Sequence, residues 1–137
     1  MNITSPPTKN LNMLQFLIVH FPIFIACVGI VIHLLGITKV LIIADLHADI
    51  IMFLLDSLVV YGLLKRKKWG WWLAVLLFLQ QSIMQPYWAY KKYLIGVYAL
   101  HLAEIFIAPI IVCLCLSILL LNKKHYQPKV SSGLYHE

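Results

Sequence analysis

The sequence predicts an all-α membrane protein built as a bundle of four transmembrane helices. Hydrophobic residues make up 62% of the 137 residues and charged residues only 12%, whereas soluble domains contain roughly 45–50% apolar residues. An apolar helix needs about 20 residues to cross the hydrocarbon core of a bilayer. The chain has room for about four such segments with short connections, so we expect one transmembrane domain over residues 13–121 and no separate soluble domain.

A basic, tryptophan-rich stretch between two apolar segments sets the predicted orientation. Residues 65–72 read KRKKWGWW, and such a stretch marks a membrane face because four adjacent cations avoid hydrocarbon and tryptophan prefers the headgroup level. With four spans, this turn and both termini share one side, which carries eight lysines and arginines against three on the other. The positive-inside rule therefore predicts that both termini are cytoplasmic.

The apolar segments and their interruptions define the elements. We predict spans at residues 13–35, 46–64, 69–88 and 100–121. The first span is too long for the apolar region of a signal peptide, which has roughly 7–15 residues, so we expect it to be retained. Pro86 is expected to bend or end the third helix, and Pro109 to kink the fourth. Residues 1–12 and 122–137 are predicted to be loose cytoplasmic tails.

Ionisable and amide side chains within the spans are concentrated near their outer ends, on the side opposite the basic turn. His33 continues a stripe of small residues on the first span, and Asp49 and Asp56 share one face of the second. A charge at mid-membrane costs roughly 2.5–3.5 kcal/mol even on the lenient insertion scale, so Asp56 should face the bundle interior. We predict an outward-opening polar pocket formed by His33, Asp49, Asp56, Gln81, Gln85, His101 and Glu104.

Several chemistries are compatible with these residue types. Imidazole and carboxylate groups ligate metals, which makes His33, His101 and Glu104 the metal candidates, and two histidines on different helices can also hold a haem. Intramembrane titratable groups also form proton relays. A purely structural interpretation remains open, because Asp49 and Glu104 lie in first helical turns, where the helix dipole favours a carboxylate.

The remaining features narrow the function without identifying it. The net charge of +6 is concentrated at the ends of apolar segments, which indicates topology signals and anionic-lipid contacts rather than nucleic-acid binding. The cysteines, Cys27, Cys113 and Cys115, fall within spans and are expected to pack as small apolar residues. No motif of a soluble enzyme is present, so a non-enzymatic role is favoured and no cofactor is defined.

We therefore expect a binding or accessory protein of the bacterial inner membrane. It would act as a small subunit of a larger membrane complex, as a homo-oligomer, or as a carrier of a small polar or amphipathic ligand. The alternative hypothesis is a membrane redox protein that depends on a metal or haem. The lipid bilayer is the one partner that both hypotheses share.

Overall fold

A computed structural model describes residues 12–40, 45–94 and 102–127 of the chain. These residues are predominantly α-helical, and no strand occurs among them. The helices are α1 (Met13–Ile37), α2 (Leu46–Leu64), α3 (Lys68–Leu94), α4 (Leu102–Leu121) and the short α5 (Lys123–Tyr126). The all-helical class predicted from the sequence is therefore confirmed.

Two of the helices are long and apolar enough to cross a membrane. The most apolar 18-residue windows of α1 and α2 have mean hydropathies of 2.5 and 1.7, yet only 17% and 28% of these windows are buried inside the protein. In α4 the residues whose side chains are described form a shorter apolar segment, Ile107–Leu121, and glutamines and lysines interrupt the apolar character of α3. The two long apolar helices suggest membrane association, whereas the third and fourth spans remain a prediction.

The four long helices form a ring of neighbours. α1 packs on α2, α2 on α3 and α3 on α4, and α4 returns to contact α1. Within α1 and α2, Gly29 meets Asp56 and Gly36 meets Asp49, so these helices run antiparallel. The result is an up-and-down bundle in which consecutive helices are neighbours.

The connection between α2 and α3 is a tight turn of three residues. Residues 65–67 join the two helices, with Arg66 in the left-handed region at φ 48°. Gly62 and Gly70 touch through their backbones, so a side chain at either position would collide with the other helix. Beside them, the rings of Tyr61 and Trp69 stack with 6.3 Å between their centroids. The basic stretch thus lies at one end of the bundle.

The sequence predicts that the three neighbouring tryptophans all lie at the headgroup level, but their environments differ in the structure. Trp69 and Trp72 are about half exposed, whereas Trp71 is 3% exposed and belongs to the core. The indole N–H of Trp71 donates a hydrogen bond to the carbonyl oxygen of Leu119 at 2.9 Å. Trp71 therefore ties the start of α3 to the end of α4.

Two elements differ from their predicted extents. α3 continues past Pro86 to Leu94, because proline removes one helical hydrogen bond but its fixed φ still fits a helix. The residues after α4 begin as an ordered helix rather than as a solvated tail. In that helix, α5, Tyr126 is 2% exposed and its hydroxyl donates to the carbonyl oxygen of Val19 in α1.

Candidate functional site

The site develops from the face that α1 presents to α2. Gly29, His33 and Gly36 follow spacings of four and three residues, so they lie on one side of α1. Asp49 and Asp56 are seven residues apart and lie on one side of α2. We call these five residues the polar seam, because the antiparallel helices bring the two sets into contact.

Asp49 forms the part of the polar seam nearest the start of α2. Its side chain is 1% exposed, and its Oδ1 lies 2.9 Å from Nδ1 of His33, which is 18% exposed. The carboxylate also lies against Gly36, where a Cβ atom would collide with it. Glycine is therefore required at this point for close approach, and the imidazole supplies the polar partner that a buried carboxylate needs.

Asp56 lies two helical turns further along α2 and has a different environment. Its side chain is 7% exposed and lies against Gly29, where a Cβ atom would meet the carboxylate. His33 lies one helical turn from Gly29 on the same face of α1. However, none of the residues that the structure describes donates a hydrogen bond to this carboxylate. Asp56 is thus a buried acid that receives no hydrogen bond from the described part of the protein.

The two predicted glutamines, Gln81 and Gln85, lie on α3 beside the part of α2 that carries Asp49 and Asp56. Gln85 donates from Nε2 to Oε1 of Gln81 at 3.2 Å, and Nε2 of Gln81 lies 3.8 Å from the sulfur of Met52. Met52 lies between Asp49 and Asp56 in the sequence of α2. Gln81 therefore faces the helix that carries both acids, and among the described residues neither glutamine donates a hydrogen bond to a carboxylate.

The last two predicted pocket residues belong to the fourth predicted span. His101 lies outside the described residues, and Glu104 lies in α4, where the structure describes the backbone only. The structure thus brings His33, Asp49 and Asp56 together and places Gln81 and Gln85 nearby.

Within the described part of the chain, no group of three or more histidines, cysteines or acids is arranged to hold a metal ion. The metal and haem hypotheses depend on His101 and Glu104, so they stay predictions. Outside the polar seam, His20 bonds to the carbonyl oxygen of Phe16 at 2.8 Å and stacks on its ring. His20 is therefore engaged within its own helix.

The role of the glycines is the part of the site that sequence reasoning missed. The stripe of small residues on α1, to which Gly29 belongs, predicts only close helix approach and assigns no role to Gly36. In the structure each of them faces a carboxylate rather than a backbone. A signal was present, because the glycines of α1 and the acids of α2 have the same seven-residue spacing.

Comparison with protein-family models, with curated proteins and with solved structures finds no match to this chain. The interpretation of the site therefore depends on its own geometry.

Proposed function

We propose that the chain is a four-span integral membrane protein, cytoplasmic at both ends, that acts as a binding or accessory protein through a proton-binding polar seam near its outer face. The bacterial inner membrane is the expected location. The observation that carries the proposal is Asp56, an acid buried between apolar helices without a hydrogen-bond donor among the described residues.

The outer surface of the bundle supports the membrane placement. Large apolar side chains are half or more exposed on each of the four long helices, for example Phe24 at 61%, Leu54 at 54%, Ile83 at 65% and Ile110 at 66%. So many exposed large apolar side chains are unusual for a soluble monomer. In a bilayer these side chains would lie against acyl chains, and the basic turn would lie at the cytoplasmic face.

The packing of the polar seam favours a proton over a larger ligand. Gly29 and Gly36 already contact the two carboxylates, and Nδ1 of His33 already lies 2.9 Å from Asp49. A proton needs no additional volume. Both an imidazole and a carboxylate exchange protons, and titratable groups inside spans are typical of such relays.

The depth of the residues suggests a direction for proton entry. Asp49 lies in the first turn of α2, whereas Asp56 lies about 10 Å deeper along the helix axis. His33 bonds to Asp49 and lies on the face of α1 that contacts Asp56. In the proposed topology, a proton from outside would reach Asp49 and His33 before Asp56. Proton binding would be coupled to a partner subunit or to a transported group. The protein would contact that partner or group within a larger membrane complex or a homo-oligomer.

Infrared difference spectroscopy on purified protein in lipid bilayers tests the proposal. Aspartate labelled with carbon-13 at the carboxyl carbon identifies aspartate bands without any substitution. We expect a protonated carboxyl band whose intensity changes with external pH, and we expect Asp56→Asn to remove it. Asp45→Asn is the matched control, because Asp45 is exposed just before α2.

Two results would contradict proton binding at Asp56. In the first, no labelled aspartate band responds to pH in the wild-type protein. In the second, the responding band persists in Asp56→Asn. Circular dichroism of each variant distinguishes a lost proton site from a lost fold.

A further inference from the structure

Two basic segments meet at the end of the bundle that contains the α2–α3 turn. The first comprises Lys65, Arg66, Lys67 and Lys68, and the second comprises Lys123 and Lys124 after α4. The ammonium group of Lys123 lies 4.8 Å from the ring centre of Trp71 and 5.8 Å from that of Trp72. Because Trp71 also bonds to Leu119, the second segment is held beside the start of α3.

The buried tyrosine of α5 keeps this arrangement in place. Tyr126 bonds to Val19 of α1, so α5 is anchored to the bundle three residues after Lys123. The two basic segments therefore form one surface, which we call the basic end: Lys65, Arg66, Lys67, Lys68, Lys123 and Lys124.

No carboxylate neutralises the basic end within the described residues. Four of the five acids of the chain, Asp45, Asp49, Asp56 and Glu104, belong to the opposite ends of their helices or to the polar seam, and the fifth, Glu137, lies outside the described residues. The salt bridge found in the described residues is the pair formed by His33 and Asp49. The uncompensated charge therefore favours an anionic partner.

Apolar surface lies directly beside these cations. Trp72 is 49% exposed, Leu120 is 52% exposed and Leu121, two residues before Lys123, is 84% exposed. A partner that covers both surfaces must combine an anionic group with apolar chains. Free phosphate and nucleic acids lack the apolar part, whereas an anionic phospholipid has both parts.

We infer that the basic end is a binding site for an anionic phospholipid of the cytoplasmic leaflet. Lys123 and Lys124, together with the cations of the turn, bind the headgroup phosphate. Trp72, Leu120 and Leu121 contact the acyl chains. This inference rests on the membrane placement proposed above, but it is independent of proton binding at Asp56.

Quenching of tryptophan fluorescence by brominated lipids tests the inference on the full chain. The reporter protein carries Trp69→Phe and Trp88→Phe, so that Trp71 and Trp72 give the signal. It is reconstituted in phosphatidylcholine vesicles that contain a minor fraction of brominated phosphatidylglycerol or, in parallel, brominated phosphatidylcholine. We expect stronger quenching by the brominated phosphatidylglycerol, because each nearby cation favours an anionic lipid by up to about fivefold.

Charge-matched variants locate the site. Lys123→Gln with Lys124→Gln should remove most of the preference for phosphatidylglycerol, and Lys67→Gln with Lys68→Gln should reduce it. The control is Lys39→Gln with Lys91→Gln, which removes the same number of charges from the predicted outer connections and should preserve the preference. Circular dichroism checks the helix content of every variant.

The outcomes separate the lipid site from the membrane placement. Equal quenching by the two brominated lipids would overturn the lipid site while leaving the membrane placement intact. Absence of quenching by both lipids would overturn the placement as well. A preference that survives in Lys123→Gln with Lys124→Gln would overturn the assignment to the basic end. Loss of the preference on adding inorganic phosphate at matched ionic strength would identify a phosphate site instead.

Discussion

The carboxylate of Asp56 lies against the backbone of Gly29, and one heptad away on each helix the carboxylate of Asp49 lies against Gly36. His33 lies between the two glycines on α1 and pairs with Asp49. The contact between α1 and α2 therefore combines close helix approach with buried charge. Its geometry predicts how substitutions on the two helices depend on each other.

Gly29→Ala should lower the free energy of unfolding, but only while Asp56 is present. An added methyl group would collide with the carboxylate, and overpacking of this kind typically costs about 1–3 kcal/mol. In an Asp56→Ala background the same substitution should be neutral or stabilising, since alanine favours a helix over glycine by about 1 kcal/mol. Unfolding of the four proteins in mixed micelles measures the reversal. A similar loss in both backgrounds would contradict this contact.

His33→Ala should lower the free energy of unfolding by more than the partial exposure of His33 suggests. It leaves the carboxyl group of Asp49, which is 1% exposed, without its hydrogen-bond partner, and a buried polar group left in this way costs about 1–3 kcal/mol. Adding Asp49→Ala should recover much of the loss, because no unpaired buried carboxyl group then remains. The control is His47→Ala, at an exposed position of α2, where a change within about 0.5 kcal/mol is expected. Additive losses in the double variant would argue against the pair.

The four-span topology predicts opposite accessibility for the two ends of α2. In a protein whose three cysteines are replaced by alanine, Lys65→Cys should resist a membrane-impermeant maleimide in intact cells and react after lysis. His47→Cys should react in intact cells, because it lies at the predicted outer end. Labelling of both positions from outside, or of neither, would contradict the predicted orientation of α2.

Much of the α1–α2 contact could be predicted from local sequence signals. The length of the apolar segment places α2 at Leu46–Leu64, where the structure also has it. The helical period places His33 and Asp56 towards the bundle, and both are turned inward. These features were accessible because apolar length and residue spacing act within a single helix.

The features that were missed depend on contacts between distant residues. Tyr126 follows a lysine-rich segment of polar character, and its partner Val19 is 107 residues away, so no local pattern indicates its burial. Likewise, spacing alone does not show that Trp71 rather than Trp72 enters the core. The continuation of α3 through Pro86 shows that a single proline does not end a helix, because it removes one backbone hydrogen bond while its φ stays helical.

The anchoring of α5 makes Tyr126 a test of how the bundle closes. Tyr126→Phe keeps the buried ring but removes the hydroxyl that bonds to Val19, so we expect a loss of about 1 kcal/mol in the free energy of unfolding. The control is Tyr61→Phe, because Tyr61 is 53% exposed and should tolerate the change. An effect no larger at Tyr126 than at Tyr61 would show that the hydrogen bond contributes nothing to closure.

The pH dependence of the free energy of unfolding, compared between the wild-type protein and Tyr126→Phe, tests the burial of the same side chain. Burial raises the pKa of the Tyr126 phenol above its ordinary value of 10.0, so the folded protein retains this proton at a pH where the unfolded chain releases it. Stability from this group is complete below pH 10.0 and falls as the pH rises above that value. Alkaline titration of unfolding should therefore show a steeper loss for the wild-type protein than for Tyr126→Phe, whereas parallel curves would contradict the burial of this phenol.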